Sequence, residues 1–247
     1  MDAARGKYVI FPDPDDWVEL GYVSQMVELQ NYYQTDLLCV GYYVDTDEKC
    51  VPANEGQKPN CMDRVTAQQA LLIPPKMGGF AWNKLYHLDI IREHKLRFLD
   101  DVGTTEDLEF AFHYLKYCDT VCFVPSTRLY HYYQRSGAAT HSEFSIKKME
   151  TIRTYEKIIE SSENDKLVQA AKEEICNTAI NLIWQYQNSN LQDKAALKKL
   201  QRYARCYLKD YLKSAQYGKG RKQQAIMACY MPAVYAFLKN RVTKDGE

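Results

Sequence analysis

The sequence has none of the cysteine spacing that marks a zinc module. Its eight cysteines (Cys39, Cys50, Cys61, Cys118, Cys122, Cys176, Cys206 and Cys229) form no CxxC pair, and no histidine stands at finger-like distance from them. They read as reduced, mostly buried thiols. A secretory signal is also missing, because MDAARGKYVIF has no apolar core and no small-residue cleavage site. No apolar run approaches the roughly 20 residues a spanning helix requires, so the expected compartment is the cytosol. Internal repeats and low-complexity tracts are absent, which excludes a solenoid. Net charge is absent too, with 32 basic against 32 acidic residues. What remains is an ordinary globular composition, 46% hydrophobic and 26% charged over 247 residues, enough for one large domain or two small ones.

The zero sum conceals an asymmetry. Residues 194–222 carry ten Lys or Arg against one acid, Asp210, for +9, the last 25 residues add +1, and residues 1–193 therefore sit at −10. An acidic body is joined to a basic tail. The tail and the apolar stretch Ala225 to Leu238, followed by Lys239 and Arg241, fit either a solvated helix face or peripheral association with the anionic inner face of a membrane. No nucleic-acid partner is expected. Twenty tyrosines offer aromatic faces with a polar tip, suited to carbohydrate and interface surfaces as well as to a core.

The chain is organised around Lys7 to Trp17, KYVIFPDPDDW. Tyr8 to Phe11 suit a buried strand, and Asp13, Asp15 and Asp16 then crowd into four residues. Carboxylates at i, i+2 spacing are the hard oxygen ligands that Mg or Mn uses when it also holds phosphates. A turn with a helix cap is the competing reading of the same residues.

Downstream, Gly21 to Gln34 has helical spacing, Leu37 to Val44 reads as a strand, Thr66 to Leu72 as a short helix stopped by Pro74 and Pro75, and Leu88 to His94 as another. Gly78 and Gly79 free the backbone just before Trp82, Asn83 and Lys84, as at the edge of a binding cleft or beside a core Trp. Thr104 or Thr105 can cap a helix running to Tyr117, with Glu106, Asp107 and Glu109 in its first turn. Thr120 to Val124 and Leu129 to Arg135 read as two strands. Beyond Ser145 the pattern turns helical, with faces Leu167 to Tyr186, Leu197 to Tyr211, and Ile226, Tyr230, Val234, Phe237 and Leu238 packing as a small bundle. The expected organisation is an α/β region over residues 1–143 and a helical region over 144–247.

KYVIFPDPDDW, GFAWNKLY and TTEDLEF, followed in order by YHYYQRSGAAT, resemble the bacterial glycosyltransferase family 2 enzymes that build capsular and other surface polysaccharides. The resemblance runs from about Asp2 to Thr140. It implies a GT-A-type, Rossmann-like sheet with flanking helices, a nucleotide-diphosphate sugar donor, a saccharide acceptor and inversion at the anomeric carbon. Asp13 and Asp15 match the DxD that holds Mn or Mg. Asp107 matches the general base, with Glu106 beside it. Trp82, Asn83 and Lys84 fall in the donor- and acceptor-binding stretch, Arg135 where a cation meets the diphosphate, and His131 where a histidine can ligate the metal. The Trp of the QxxRW motif of processive synthases is missing, which points to single transfers. The resemblance also implies that the strands holding the nucleotide base precede the DxD strand in such enzymes, so the chain is expected to be their C-terminal part, to bind donor weakly and to self-associate as a homo-oligomer. Two other readings stay open: a non-catalytic binding module, and a DxD-type metal-dependent phosphatase, although Asp16 and Trp17 stand where the latter needs a small hydroxyl residue.

Overall fold

A computed structural model describes residues 1–73, 76–98, 105–134, 144–191 and 193–244. The chain divides into two compact units, one of Met1–Asp101 with Glu106–His141, the other of Val102–Thr105 with Ser142–Glu247.

The first unit is α/β. Its strands are β1 (Tyr8–Val9), β2 (Trp17–Val18), β3 (Leu37–Asp45), β4 (Cys50–Pro52), β5 (Asn60–Asp63), β6 (Lys84–His87) and β7 (Thr120–Tyr133), and its helices are α1 (Tyr22–Tyr33), α2 (Arg64–Leu72), α3 (Leu88–Glu93) and α4 (Glu106–Leu115). The strands form one mixed sheet in the order β1-β6-β3-β7-β2, with β4 added to β3 and β5 to β7. The two long strands, β3 and β7, run parallel in the middle, and the other pairings are antiparallel. Parallel strands covered by helices must be apolar on both faces, and Leu37, Leu38, Cys39 and Val40 are all fully buried. Both ends of the strand path are only two residues long, which leaves little edge to template pairing with another chain.

The two strands expected at 120–124 and 129–135 are one. Their register against β3 slips at Gly41, where Val40 faces Val124 but Gly41 faces Arg128. Residues 125–127 bulge there. A Cβ on Gly41 would lie 2.2 Å from the Pro125 carbonyl oxygen, so glycine is required. The core beneath gathers Tyr22 and Met26 of α1, Leu38 and Val40, Leu85, Val124, Tyr130 and Trp82. Trp82 stacks on Tyr130 at 4.5 Å and on Phe80 at 4.9 Å, each such pair adding about 0.5–1.5 kcal/mol beyond burial.

The cysteines differ from expectation. Cys61 and Cys122 are direct partners on adjacent antiparallel strands and are joined as a disulfide, a proximity that 61 residues of intervening chain conceal. The others are free thiols, with Cys50 and Cys206 exposed.

The second unit is helical: α5 (Glu150–Ser161), α6 (Asp165–Gln187), α7 (Lys194–Lys213), α8 (Lys219–Tyr230) and α9 (Pro232–Lys244), after a 3-10 turn at Ile146–Met149. Asn164 and Asp193 cap α6 and α7 by accepting backbone N–H groups. The expected faces of α6 and α7 are inside, as Leu167, Ala171, Ile175, Leu182, Leu200, Ala204 and Tyr211 show. The third expected face is not. Ile226, Tyr230, Val234, Phe237 and Leu238 are exposed, and the chain breaks at Met231 and Pro232 into two helices that bury Ala225, Ala228, Cys229, Tyr235 and Ala236 instead.

Candidate functional site

The acidic turn after β1 is tied down by β7. Tyr130 accepts the Asp13 backbone N–H at 3.0 Å and donates its hydroxyl to Asp16 Oδ2 at 2.6 Å, while the Tyr133 N–H donates to Asp16 Oδ1 at 2.8 Å. Both Asp16 oxygens are thus engaged, and Asp16 anchors the turn. The three carboxylates nevertheless offer oxygens all within 4.8 Å of one another.

The second acidic segment enters from α4. Gly78 adopts φ +66° and Gly79 presses against α4 so closely that a Cβ would lie 2.8–2.9 Å from the Leu108 side chain. This approach brings the Ala81 N–H to Asp107 Oδ2 at 3.0 Å. Lys84, fully buried, clamps the same turn: its Nζ donates to the carbonyls of Gly78 and Phe80 at 2.8 and 2.5 Å and to Asn83 Oδ1 at 2.8 Å. Burial pushes its ammonium below the usual lysine range, opposed by Cys39 and Asp107. Asn83 in turn donates Nδ2 to the Val40 carbonyl and accepts the Val40 N–H on its own carbonyl.

The two acidic segments are brought together by Phe11 and Phe110, whose rings touch at 5.6 Å. Asp13 is pushed up to about 6, first by partial desolvation and then by the charges of Asp107, Asp16, Asp15 and Glu106. Asp107 is raised by burial and by Glu106, against the Ala81 N–H and Lys84. One oxygen of Glu106 is buried without a hydrogen-bond partner. Among the described residues the site is therefore rich in negative charge, with hard oxygen donors at the DxD end. That is the donor set Mg or Mn takes, and Asp13 and Asp15 are the carboxylates not committed to the Tyr130 anchor.

Other expected site residues lie elsewhere. Trp82, Asn83 and Lys84 are buried behind the 78–82 turn, where they shape it rather than open onto solvent. His131 is not part of the Asp13 cluster. It is stacked between Trp17 at 3.5 Å and Tyr43 at 4.8 Å, with Nδ1 2.9 Å from Asp45 Oδ2 and Nε2 3.3 Å from Glu19 Oε1. Neighbouring residues of a strand point to opposite faces, so β7 sends Tyr130 to one acidic group and His131 to another. Asp45, Cys50 and His131 form a second set of ligand-type atoms within 4.8 Å of one another. Arg135 lies outside the described residues. Sequence reasoning missed Tyr130 as the organiser of the turn and Asp45 as the partner of His131. The alternation of Tyr130 and Tyr132 in β7 was the available signal for the first.

No protein-family model matches the chain. It is 32% identical over 136 residues to "Putative glycosyltransferase EpsH" of Bacillus subtilis (strain 168), covering 53% of this chain and 39% of that protein. It is 25% identical over 113 residues to "Uncharacterized glycosyltransferase EpsJ" of the same organism, covering 44% and 33%. The chain thus spans well under half the length of these relatives. Among solved structures, Staphylococcus aureus TarS 1-349 in complex with UDP-GlcNAc superposes with a TM-score of 0.60 at 11% identity, over 100% of this chain and 70% of that one. Its complex with UDP gives 0.55 at 10% identity, over 100% and 69%. At such identity the likeness is one of fold. The chain is thus similar to bacterial glycosyltransferases in sequence over its matched stretch, and to TarS in fold.

Proposed function

We propose that this protein transfers a sugar from a nucleotide-diphosphate donor to a saccharide acceptor, with inversion, in the synthesis of a cell-surface polysaccharide. The observation that carries the reading is the cluster of Asp13 and Asp15 brought to the segment of Asp107 and Glu106, about ninety residues on, by the contact of the Phe11 and Phe110 rings. Asp13 and Asp15 would hold Mg or Mn, which supplies positive charge to the departing diphosphate. The fold shared with a protein solved with UDP-GlcNAc supports a nucleotide-sugar donor.

The chain's own residues account for the acceptor side. Asp107 is held by the Ala81 N–H on one oxygen, and burial makes its carboxylate a stronger base than a solvated one. The acceptor hydroxyl oxygen bonds to the anomeric carbon as the bond from that carbon to the diphosphate oxygen breaks. The hydroxyl proton passes to Asp107, and the leaving diphosphate keeps the electron pair. Glu106 keeps the site anionic and sustains the raised affinity of Asp107 for that proton. Lys84, Asn83 and Trp82 hold the turn that presents the Ala81 N–H.

A thermal-shift screen of nucleotide sugars with Mn or Mg, followed by a transfer assay with the stabilising donor, tests the reading. Metal-dependent stabilisation by one nucleotide family and product with an inverted linkage are expected. No stabilisation by any nucleotide would favour a binding module, and release of phosphate from sugar phosphates would favour a phosphatase.

A further inference from the structure

The apolar side of α8 and α9 is exposed among the described residues. Ile226, Tyr230 and Met231 are followed by Val234, Phe237 and Leu238, and every one of these six is at least 41% exposed, with Tyr230 at 60% and Phe237 at 56%. Within α8 the spacing 226, 230 and within α9 the spacing 234, 237, 238 place each set on one helical face. The opposite side of both helices is buried, through the small Ala225, Ala228, Cys229 and Ala236 and the ring of Tyr235. Scattered exposed hydrophobics are ordinary, but a run of large ones on two successive helices is not.

The sequence of the helices that carry this face is strongly cationic. From Lys194 to Arg241 the chain holds twelve Lys or Arg against a single acid, Asp210, and from Lys219 to Arg241 it holds five cations and no acid. Lys219 and Arg221 are exposed at the start of α8. Two guanidinium groups border the apolar surface directly: Arg205 lies 5.0 Å over the Tyr230 ring and Arg241 lies 4.6 Å over the Phe237 ring. Aromatic rings with cations beside them match a layer where hydrocarbon gives way to charged headgroups.

We infer that the exposed faces of α8 and α9 seat this protein on an anionic lipid bilayer, lying in its surface rather than crossing it. Among the described residues no helix is long and apolar enough to cross. A second copy fits the face less well, because a two-fold contact sets the same patch against itself and brings two cationic rims together. An anionic bilayer offers hydrocarbon to the large side chains and phosphate to the rim. Each cation near such a surface strengthens binding roughly fivefold at low salt, and this falls as salt screens it. The inference does not depend on the proposed sugar transfer.

Co-sedimentation of the full chain with vesicles of phosphatidylcholine alone, and of phosphatidylcholine mixed with phosphatidylglycerol, tests it. The mixed vesicles should bind at least about tenfold better, and salt should reduce that preference. Val234→Ser with Phe237→Ser, on exposed positions and checked for native circular dichroism, should abolish sedimentation. Arg221→Glu with Lys222→Glu should remove about tenfold or more of the binding to mixed vesicles. Equal sedimentation with both lipids, or full retention by the serine pair, would overturn the inference. So would a concentration-dependent dimer that the serine pair dissolves in the absence of any vesicle binding, which would assign the face to a second copy.

Discussion

Two groups of acidic side chains in the first unit show opposite ways of managing charge. Around Asp45 the carboxylate accepts from the Trp17 indole at 3.2 Å and meets His131 at 2.9 Å, and the imidazole is stacked on both sides and reaches Glu19 as well. Around Asp13, Asp16 is the anchored carboxylate of the turn among the described residues, and Asp13 itself is pushed up to about 6 by desolvation first and by its acidic neighbours after it. Asp45 is held through one oxygen by an indole and an imidazole, whereas Asp13 stands among like charges. Folding alone would select the first arrangement. The second is tolerable where a cation completes it, which is why residue count or acidity alone cannot identify a site.

The sharpest way to break this contrast is to remove a carboxylate from the Asp13 group. Asp15→Ala is expected to abolish Mn-dependent donor binding in calorimetry, whereas His131→Gln should leave it within about twofold, a small change on the scale of RT. Unchanged affinity in Asp15→Ala would end the metal assignment. Next in size, Asp107→Asn should lower kcat by about 10²–10⁴ with donor affinity retained, since a base acts on the acceptor proton. Equal turnover by mutant and parent would refute the role. Gly79→Ala forces a Cβ into the Leu108 side chain and should cost about 1–3 kcal/mol in denaturant unfolding while weakening turnover through the shifted Asp107. A stability equal to the parent's would show that α4 yields at no cost.

The smallest effect is a pH dependence. The folded Asp13 binds its proton more tightly than an unfolded aspartate does, so the folded state carries more protons between about pH 4 and pH 6. Without divalent metal, stability should therefore fall as pH rises through that window, by about 1 kcal/mol once the exposure of the side chain is allowed for. Asp13→Asn should flatten the slope. Metal affinity should fall in the opposite direction, weakening as pH drops below about 6, because the proton and the cation compete for one carboxylate. A parent whose stability is level from pH 4 to pH 7 would show Asp13 unburdened by its neighbours.

Local periodicity made α1, β3, α2 and α3 legible, since each buries its own apolar pattern against the sheet. β7 read as two strands because Pro125 and the bulge interrupt the alternation, and only the pairing with Gly41 shows the two halves to be continuous. The outward face of α8 and α9 was misread as core, because spacing identifies a face without saying what covers it. The acidic residues stood out in the sequence, yet their meeting depends on the approach of Gly79 to α4, a contact between segments that no local pattern records. Tyr130 was hidden for the same reason: its partners Asp13 and Asp16 precede it by more than a hundred residues. The disulfide between Cys61 and Cys122 likewise exists in the sheet register and not in the linear order.

The bulge at residues 125–127 also acts as a phase adjuster for the whole site. Every side chain after it in β7 takes its face from the number of residues the bulge absorbs, and Tyr130 and His131 are consecutive. An inserted residue that the bulge does not absorb would move every later side chain on by one place, setting Tyr130 where His131 stands and His131 on the opposite face, where Tyr132 stands. A single-codon insertion far from any acidic residue would thereby displace the organisers of two charged groups in one step, so this short loop sets a reading frame for side chains much as a nucleotide triplet sets one for codons.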